Sequence, residues 1–127
     1  MMINAEPALT DGRFRVVTLC GSTRFKPEFE RINAELTLAG NVVISVGVFV
    51  HASGPAVSEA QKQLLDHIHL QKIDMADEIF VVNPGGYIGE STRGEIEYAT
   101  QTGVPVRYLV PPGESDTGGP NGGRLVP

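Results

Sequence analysis

Short apolar, β-branched runs alternate with stretches of helical spacing along this chain, and that alternation limits its fold more than any other feature. Arg15-Val-Val-Thr-Leu-Cys20 is an apolar run ending at Gly21-Ser22, the pattern of a buried strand followed by a turn. Phe25, Phe29, Ile32, Leu36 and Ala39 then recur at helical steps, with Pro27 and Glu28 suited to the first turn and Gly40 to the C-terminal cap. Val42 to Val50 is almost continuously apolar, which predicts a strand covered on both faces. Ser58-x-x-Gln61 offers a capping box for a helix to about Ala76, with Leu64, Leu65, Ile68, the stem of Lys72 and Met75 facing inward. Glu78 to Asn83 predicts a third strand, Thr92 to Thr102 a third helix closed by Gly103, and Val104 to Val110 a fourth strand with Pro105 at its start. Strands alternating with helices require right-handed crossovers. The expected fold is an α/β three-layer sandwich, Rossmann- or flavodoxin-like, around a mainly parallel sheet of four to five strands.

At 127 residues the chain has room for one domain, expected at residues 13–110, between a flexible leader at 1–12 and a disordered Pro/Gly-rich tail at 111–127. A core of about a hundred residues is only marginally stable alone, so a homodimer is expected. No apolar run approaches the ~20 residues that cross a bilayer, and the first residues lack the basic start and apolar core of a secretion signal, so a cytoplasmic protein with no membrane partner is expected. The single cysteine, Cys20, excludes an internal disulfide and a CxxC zinc or redox site. A net charge of −5 has the wrong sign for binding polymeric nucleic acid, while leaving room for local donors to hold a small anion.

Parallel α/β sheets bind ligands outside the carboxyl ends of their strands. Gly21-Ser22-Thr23-Arg24 occupies one such end, where free backbone N–H groups, two hydroxyls and a guanidinium suit a phosphate. The alternative is a turn in which Gly21 supplies an unusual φ, Ser22 or Thr23 caps the helix and Arg24 is a solvated charge. A second such loop, residues 84–95, is Gly-rich and longer than a connection needs, yet it is neither a P-loop nor GxGxxG. Tyr87, Gly89, Ser91 and Thr92 in it are candidate ligand contacts, with Tyr87 and Phe25 able either to stack on a base or simply to pack. Glu95 falls on the helix that follows, facing the crevice. Thr92-x-x-Glu95 also fits a capping box, and spacing by itself favours that cap.

His67 and His69 stand two apart on a helix, roughly 200° around its axis, so they cannot chelate one ion together, and no metal or cofactor is expected. His69 points toward the end of the third strand, as either a satisfied buried histidine or a functional one. Cys20 is expected to be buried rather than nucleophilic. Asp74 and Asp77 are assigned no chemistry.

Taken together, Leu19-Cys-Gly-Ser-Thr-Arg24, His69-Leu-Gln-Lys-Ile-Asp-Met-Ala-Asp77 and Gly94-Glu95-Ile-Glu-Tyr-Ala99 with Gly103-Val-Pro105 resemble the nucleoside 2-deoxyribosyltransferase superfamily. The closer likeness within it is to the 2′-deoxynucleoside 5′-phosphate N-hydrolases, over most of residues 15 to 110. The resemblance implies that Glu95, four residues before Ala99, attacks the anomeric carbon and forms a covalent glycosyl-enzyme. It also implies that Gly21, Ser22 and Arg24 hold the 5′-phosphate or nearby sugar oxygens, and that the protein is a dimer with shared sites. Two positions depart from the family's pattern: its acidic Asp falls on His69, and Glu97 stands where Gly is usual. A histidine can still protonate or hydrogen-bond a leaving base near neutral pH. Pro84-Gly-Gly-Tyr87 also looks like the PGG motif of phosphoribohydrolases that release cytokinin bases, with altered spacing.

The sequence thus leads to N-glycosidic bond cleavage or base exchange on a nucleoside or nucleoside 5′-monophosphate, with Glu95 and His69 catalytic and Gly21, Ser22, Thr23, Arg24, Tyr87, Gly89, Ser91 and Thr92 binding substrate. A non-catalytic nucleotide-binding or sensing module on the same fold is the competing class. A purely structural role leaves the Gly-rich loop without a purpose.

Overall fold

The computed structural model describes residues 9–10, 12–52 and 56–113. Most of the expected leader, the tail from residue 114 and residues 53–55 lie outside this range. Leu9–Thr10 (β1), at the end of the expected leader, pairs antiparallel with Arg13–Phe14 (β2) in a small ribbon.

The main sheet is formed by Val16–Gly21 (β3), Val42–Ile44 (β4), Glu78–Val82 (β5) and Val106–Tyr108 (β6), in the order β4-β3-β5-β6. Every pairing in it is parallel, with Val17 opposite Glu78 and Gly21 opposite Val82 in the central pair. The helices are Lys26–Leu38 (α1), Glu59–Asp74 (α2) and Glu90–Gln101 (α3). Alternate residues of β3 and β5 serve opposite faces, as the pleat requires. Val17, Leu19, Phe80 and Val82 pack with Phe29, Ile32 and Leu36 of α1, whereas Cys20, Ile79 and Val81 pack with Ile73 of α2 and Ala99 of α3. The result is a three-layer α/β fold with flavodoxin-like topology. Each fully buried Phe, Ile or Leu of these faces contributes about 1.5–3 kcal/mol of apolar transfer.

The local signals act as their residue types dictate. Pro27 and Glu28 occupy the first turn of α1, and Gly40 closes it at φ 99°. Ser58 and Gln61 form a complete capping box on α2, each side chain bonding the other's backbone N–H at 3.1 and 2.9 Å. Thr18, fully buried among apolar neighbours, donates its hydroxyl to the Lys72 carbonyl at 2.9 Å. At the amino end of the sheet, Glu78 is buried between the guanidinium groups of Arg15 (3.0 Å) and Arg107 (2.7 Å). At the opposite end the buried Asn83 amide donates to the Val110 carbonyl at 2.8 Å and accepts from its N–H at 3.0 Å, tying β5 to the chain leaving β6.

Three expectations are corrected. The second strand is only Val42–Ile44, not residues 42–50. It is an edge strand with Val42 half in solvent, and the rest of the run leaves the sheet because better partners lie elsewhere. Lys72 Nζ takes the Ser45 carbonyl at 2.8 Å, and Val46 and Phe49 dock on the α1 cluster, Phe49 edge-on to Phe29 with centroids 5.4 Å apart. Second, α2 presents His69 and Ile73 to the core, while Leu64, Ile68 and Met75 are exposed at 58%, 42% and 58%. Apolar count alone points to a different face; His69 turns inward because it finds polar partners there. Third, α3 begins at Glu90 rather than Thr92, and the last strand spans only Val106–Tyr108. Among the described residues no helix is long and apolar enough to cross a membrane.

Candidate functional site

A cleft of about 820 Å³ opens at the carboxyl ends of β3 and β5, bounded by the turn after β3, the segment after β4, α2 and the start of α3. Every residue singled out as catalytic or substrate-binding from the sequence lines it.

Gly21 ends β3 at φ 156°, where a Cβ would stand 2.6 Å from the Val82 carbonyl oxygen, so only glycine lets the two central strands approach here. Ser22 caps the short 3-10 turn Thr23–Phe25, its Oγ accepting from the Arg24 backbone N–H at 3.2 Å and from Arg24 Nε at 3.1 Å. Arg24 is more than a solvated charge, because its guanidinium lies over the Tyr87 ring at 4.5 Å while Phe25 meets the same ring edge-on. Thr23 Oγ1 accepts from the His51 N–H at 3.2 Å and lies 2.7 Å from His51 Nδ1, joining this turn to the segment after β4. The two hydroxyls thus hold the turn in shape.

The other wall is the loop after β5. Gly86, at φ 85°, turns the chain and donates to the Asn83 carbonyl at 2.8 Å, which brings Tyr87 back over Arg24. Gly89 is the N-cap of α3 and a Cβ there would sit 3.2 Å from the Tyr87 hydroxyl. No side chain caps this helix, so its first N–H groups at Glu90, Ser91 and Thr92 border the cleft without a capping partner. Thr92 is itself 4% exposed, on the third position of the helix.

That start removes the capping-box reading of Glu95. The glutamate stands on the second turn, out of register for a cap, and its Oε1 is buried with no hydrogen-bond partner among the described residues. Oε1 lies 3.7 Å from His69 Nε2, which in turn lies 3.3 Å from Cys20 Sγ. Burial, reinforced by the Asp66 carboxylate and opposed by the Cys20 thiol, pushes the Glu95 carboxyl up to about 7. Burial, aided by the Lys72 ammonium, pushes His69 down to about 4, so its imidazole is neutral near pH 7. The Cys20 thiol is pushed well up by burial and by Glu95. A carboxyl titrating near neutrality at the foot of a crevice is the kind of perturbed group that functional sites collect.

Sequence reasoning missed several lining groups. Lys72 joins the cleft from α2, half-buried, with its own pKa lowered by burial; its stem faces inward as expected, but its bond to Ser45 has no local signal. Asp66, one turn before His69, and His51, on the segment after β4, also line it, as do Val46, Val48 and Val50 of the run read as strand. Their only sequence signal is helical spacing from His69 or closeness to a loop.

The fold and cleft define a parallel α/β protein of flavodoxin-like topology with a crevice at the strand ends. No family model, no curated protein and no solved structure matches the chain.

Proposed function

We propose that this protein cleaves, or exchanges the base of, the N-glycosidic bond of a nucleoside or nucleoside 5′-monophosphate, with Glu95 as nucleophile. The observation that carries the reading is the Glu95 carboxylate, held at the foot of the cleft with one oxygen buried, 3.7 Å from His69 Nε2 but without a hydrogen bond, in a position where it caps nothing. Ionised Glu95 attacks C1′ as the bond to the base breaks and its electron pair leaves on the base nitrogen. The glycosyl ester is then opened by water in a hydrolase or by a second base in a transferase. The 5′-phosphate sits between Arg24 and the uncapped start of α3, and the base near Tyr87.

Neutral at working pH, His69 serves as a positioning residue that fixes the Glu95 carboxylate, rather than as the acid for the departing base. Asp66 and Glu90 are the other carboxylates lining the cleft, so proton transfer to the base is assigned to solvent or to one of these two. The chain is further read as a homodimer, with Leu64 and Ile68, one turn apart and exposed on α2, as the surface a second copy covers.

Base release from a panel of ribo- and deoxyribonucleoside 5′-monophosphates, with and without a second free base, tests the reading in wild type and Glu95→Ala. Release that vanishes in the variant supports it, and exchange into the added base makes the protein a transferase. Nucleotide binding with no release from any substrate overturns it in favour of a sensing module, the reading that a neutral His69 favours.

A further inference from the structure

Three donor atoms from three separate elements converge at the foot of the cleft. Cys20 Sγ at the end of β3, His69 Nε2 on α2 and Glu95 Oε1 on α3 all lie within 4.8 Å of one another. The sulfur is 3.3 Å from the nitrogen and the nitrogen 3.7 Å from the carboxylate oxygen. Tetrahedral zinc, with bonds of roughly 2.0–2.3 Å, sets its ligand atoms about 3.3–3.8 Å apart, the range in which the sulfur–nitrogen and nitrogen–oxygen spacings fall. Cys20 is fully buried and the His69 and Glu95 side chains are 9% and 18% exposed, so regular structure holds each donor in place. The glycosidase chemistry uses Glu95 and a positioning His69 but has no use for a sulfur beside them. It also leaves Glu95 Oε1 buried without a hydrogen bond.

We infer that Cys20, His69 and Glu95 form a binding site for one zinc-class divalent cation, held through Sγ, Nε2 and Oε1 with its fourth position open to the cleft. A thiolate, an imidazole and a carboxylate together suit zinc and disfavour magnesium or calcium, which prefer all-oxygen shells. On binding, the S–H bond of Cys20 is replaced by a sulfur–metal bond, the thiol proton passes to the buffer, and nothing is oxidised or reduced. The site is not the CxxC or paired-histidine kind that the sequence excludes. An ion on Oε1 occupies the carboxylate that would attack C1′, so zinc and substrate turnover exclude one another; this consequence rests on the proposed function, whereas the site does not.

The test uses the full chain freed of metal by a chelator. Calorimetric titration with Zn²⁺ is expected to show one ion per chain, and Co²⁺ in its place is expected to give a thiolate-to-cobalt charge-transfer band. Loss of an outer-shell partner alone weakens metal sites roughly 10–100-fold, so Cys20→Ala, which removes a direct ligand, should weaken zinc by at least that and abolish the cobalt band. Cys20→Ser retains volume and guards against a packing artefact. Zinc should suppress base release by wild type reversibly but not by Cys20→Ala. Absence of saturable binding, equal affinity in Cys20→Ala, or loss of binding on His51→Ala or His67→Ala alone overturns the inference. Because calorimetry and the cobalt band need no turnover, they decide the site even where base release fails to appear.

Discussion

His69 Nε2 stands 3.7 Å from Glu95 Oε1, and both groups are neutral in the same pH range because burial moves their proton affinities in opposite senses. Unfolded, the two would form a cation and an anion between pH 4.5 and 6.5. Folded, the proton resides on the carboxyl instead of the imidazole.

The linkage to stability follows with opposite signs. Glu95 titrates at about 7 in the fold against 4.5 ordinarily, so unfolding releases its proton in that window and its contribution declines as pH rises. His69 titrates at about 4 against 6.5, so unfolding takes up a proton and stability is lost as pH falls through that window. In wild type the two slopes nearly cancel where they overlap. Relative to wild type, Glu95→Gln should gain stability with rising pH between 4.5 and 7, and His69→Gln should lose it between 4 and 6.5, each by up to about 1.4 kcal/mol per pH unit. Urea unfolding across this range measures both, and parallel profiles for all three proteins would contradict the pairing.

Activity should carry the same titration. An attacking Glu95 must be ionised, so kcat/KM for base release should rise about tenfold per pH unit below 7 and level off above it. A rate that instead falls through pH 7 would make the protonated carboxyl the active form and recast Glu95 as a general acid.

Glu95→Ala separates chemistry from architecture. Base release should drop by at least roughly 10³-fold with nucleotide affinity retained. Since Glu95 caps nothing, its removal should not bring the ~1 kcal/mol loss typical of a lost cap, and at pH 8 the variant should be at least as stable as wild type. Denaturant unfolding beside the assay distinguishes the two roles.

Gly21→Ala places a methyl 2.6 Å from the Val82 carbonyl oxygen in the centre of the sheet. The strands must part or the turn must shift, at a cost of about 1–3 kcal/mol. Thermal unfolding reads the loss; a variant as stable as wild type would mean the β3–β5 contact is looser than described.

Arg24→Gln keeps a polar side chain but removes the cation from the Tyr87 ring. If Arg24 holds the phosphate, affinity for a nucleoside monophosphate should fall by roughly 10–100-fold, the 1.5–3 kcal/mol of a charge-assisted hydrogen bond, with nucleoside affinity little changed. Equal losses for both ligands would assign Arg24 to packing on Tyr87 instead.

Whatever depends on neighbours within a turn or two was legible in the sequence. The apolar stripe of α1, the Ser58 and Gln61 capping box, the strand-to-turn change at Gly21 and the alternation behind a parallel three-layer fold are short-range patterns, and each appears where its residue types require. Tertiary structure decided the rest, because those choices turn on partners far along the chain. The run from Val42 leaves the sheet after Ile44 when Lys72, 27 residues on, takes the Ser45 carbonyl. α2 turns Leu64 and Ile68 outward and sets His69, already expected toward the end of the third strand, beside Cys20, 49 residues earlier, and Glu95, polar company that a count of apolar residues cannot register. Spacing alone made Glu95 a cap. Starting α3 two residues sooner turned it into a buried carboxylate facing a histidine, because the helix N-terminus falls at Gly89, where the chain folds back against Tyr87.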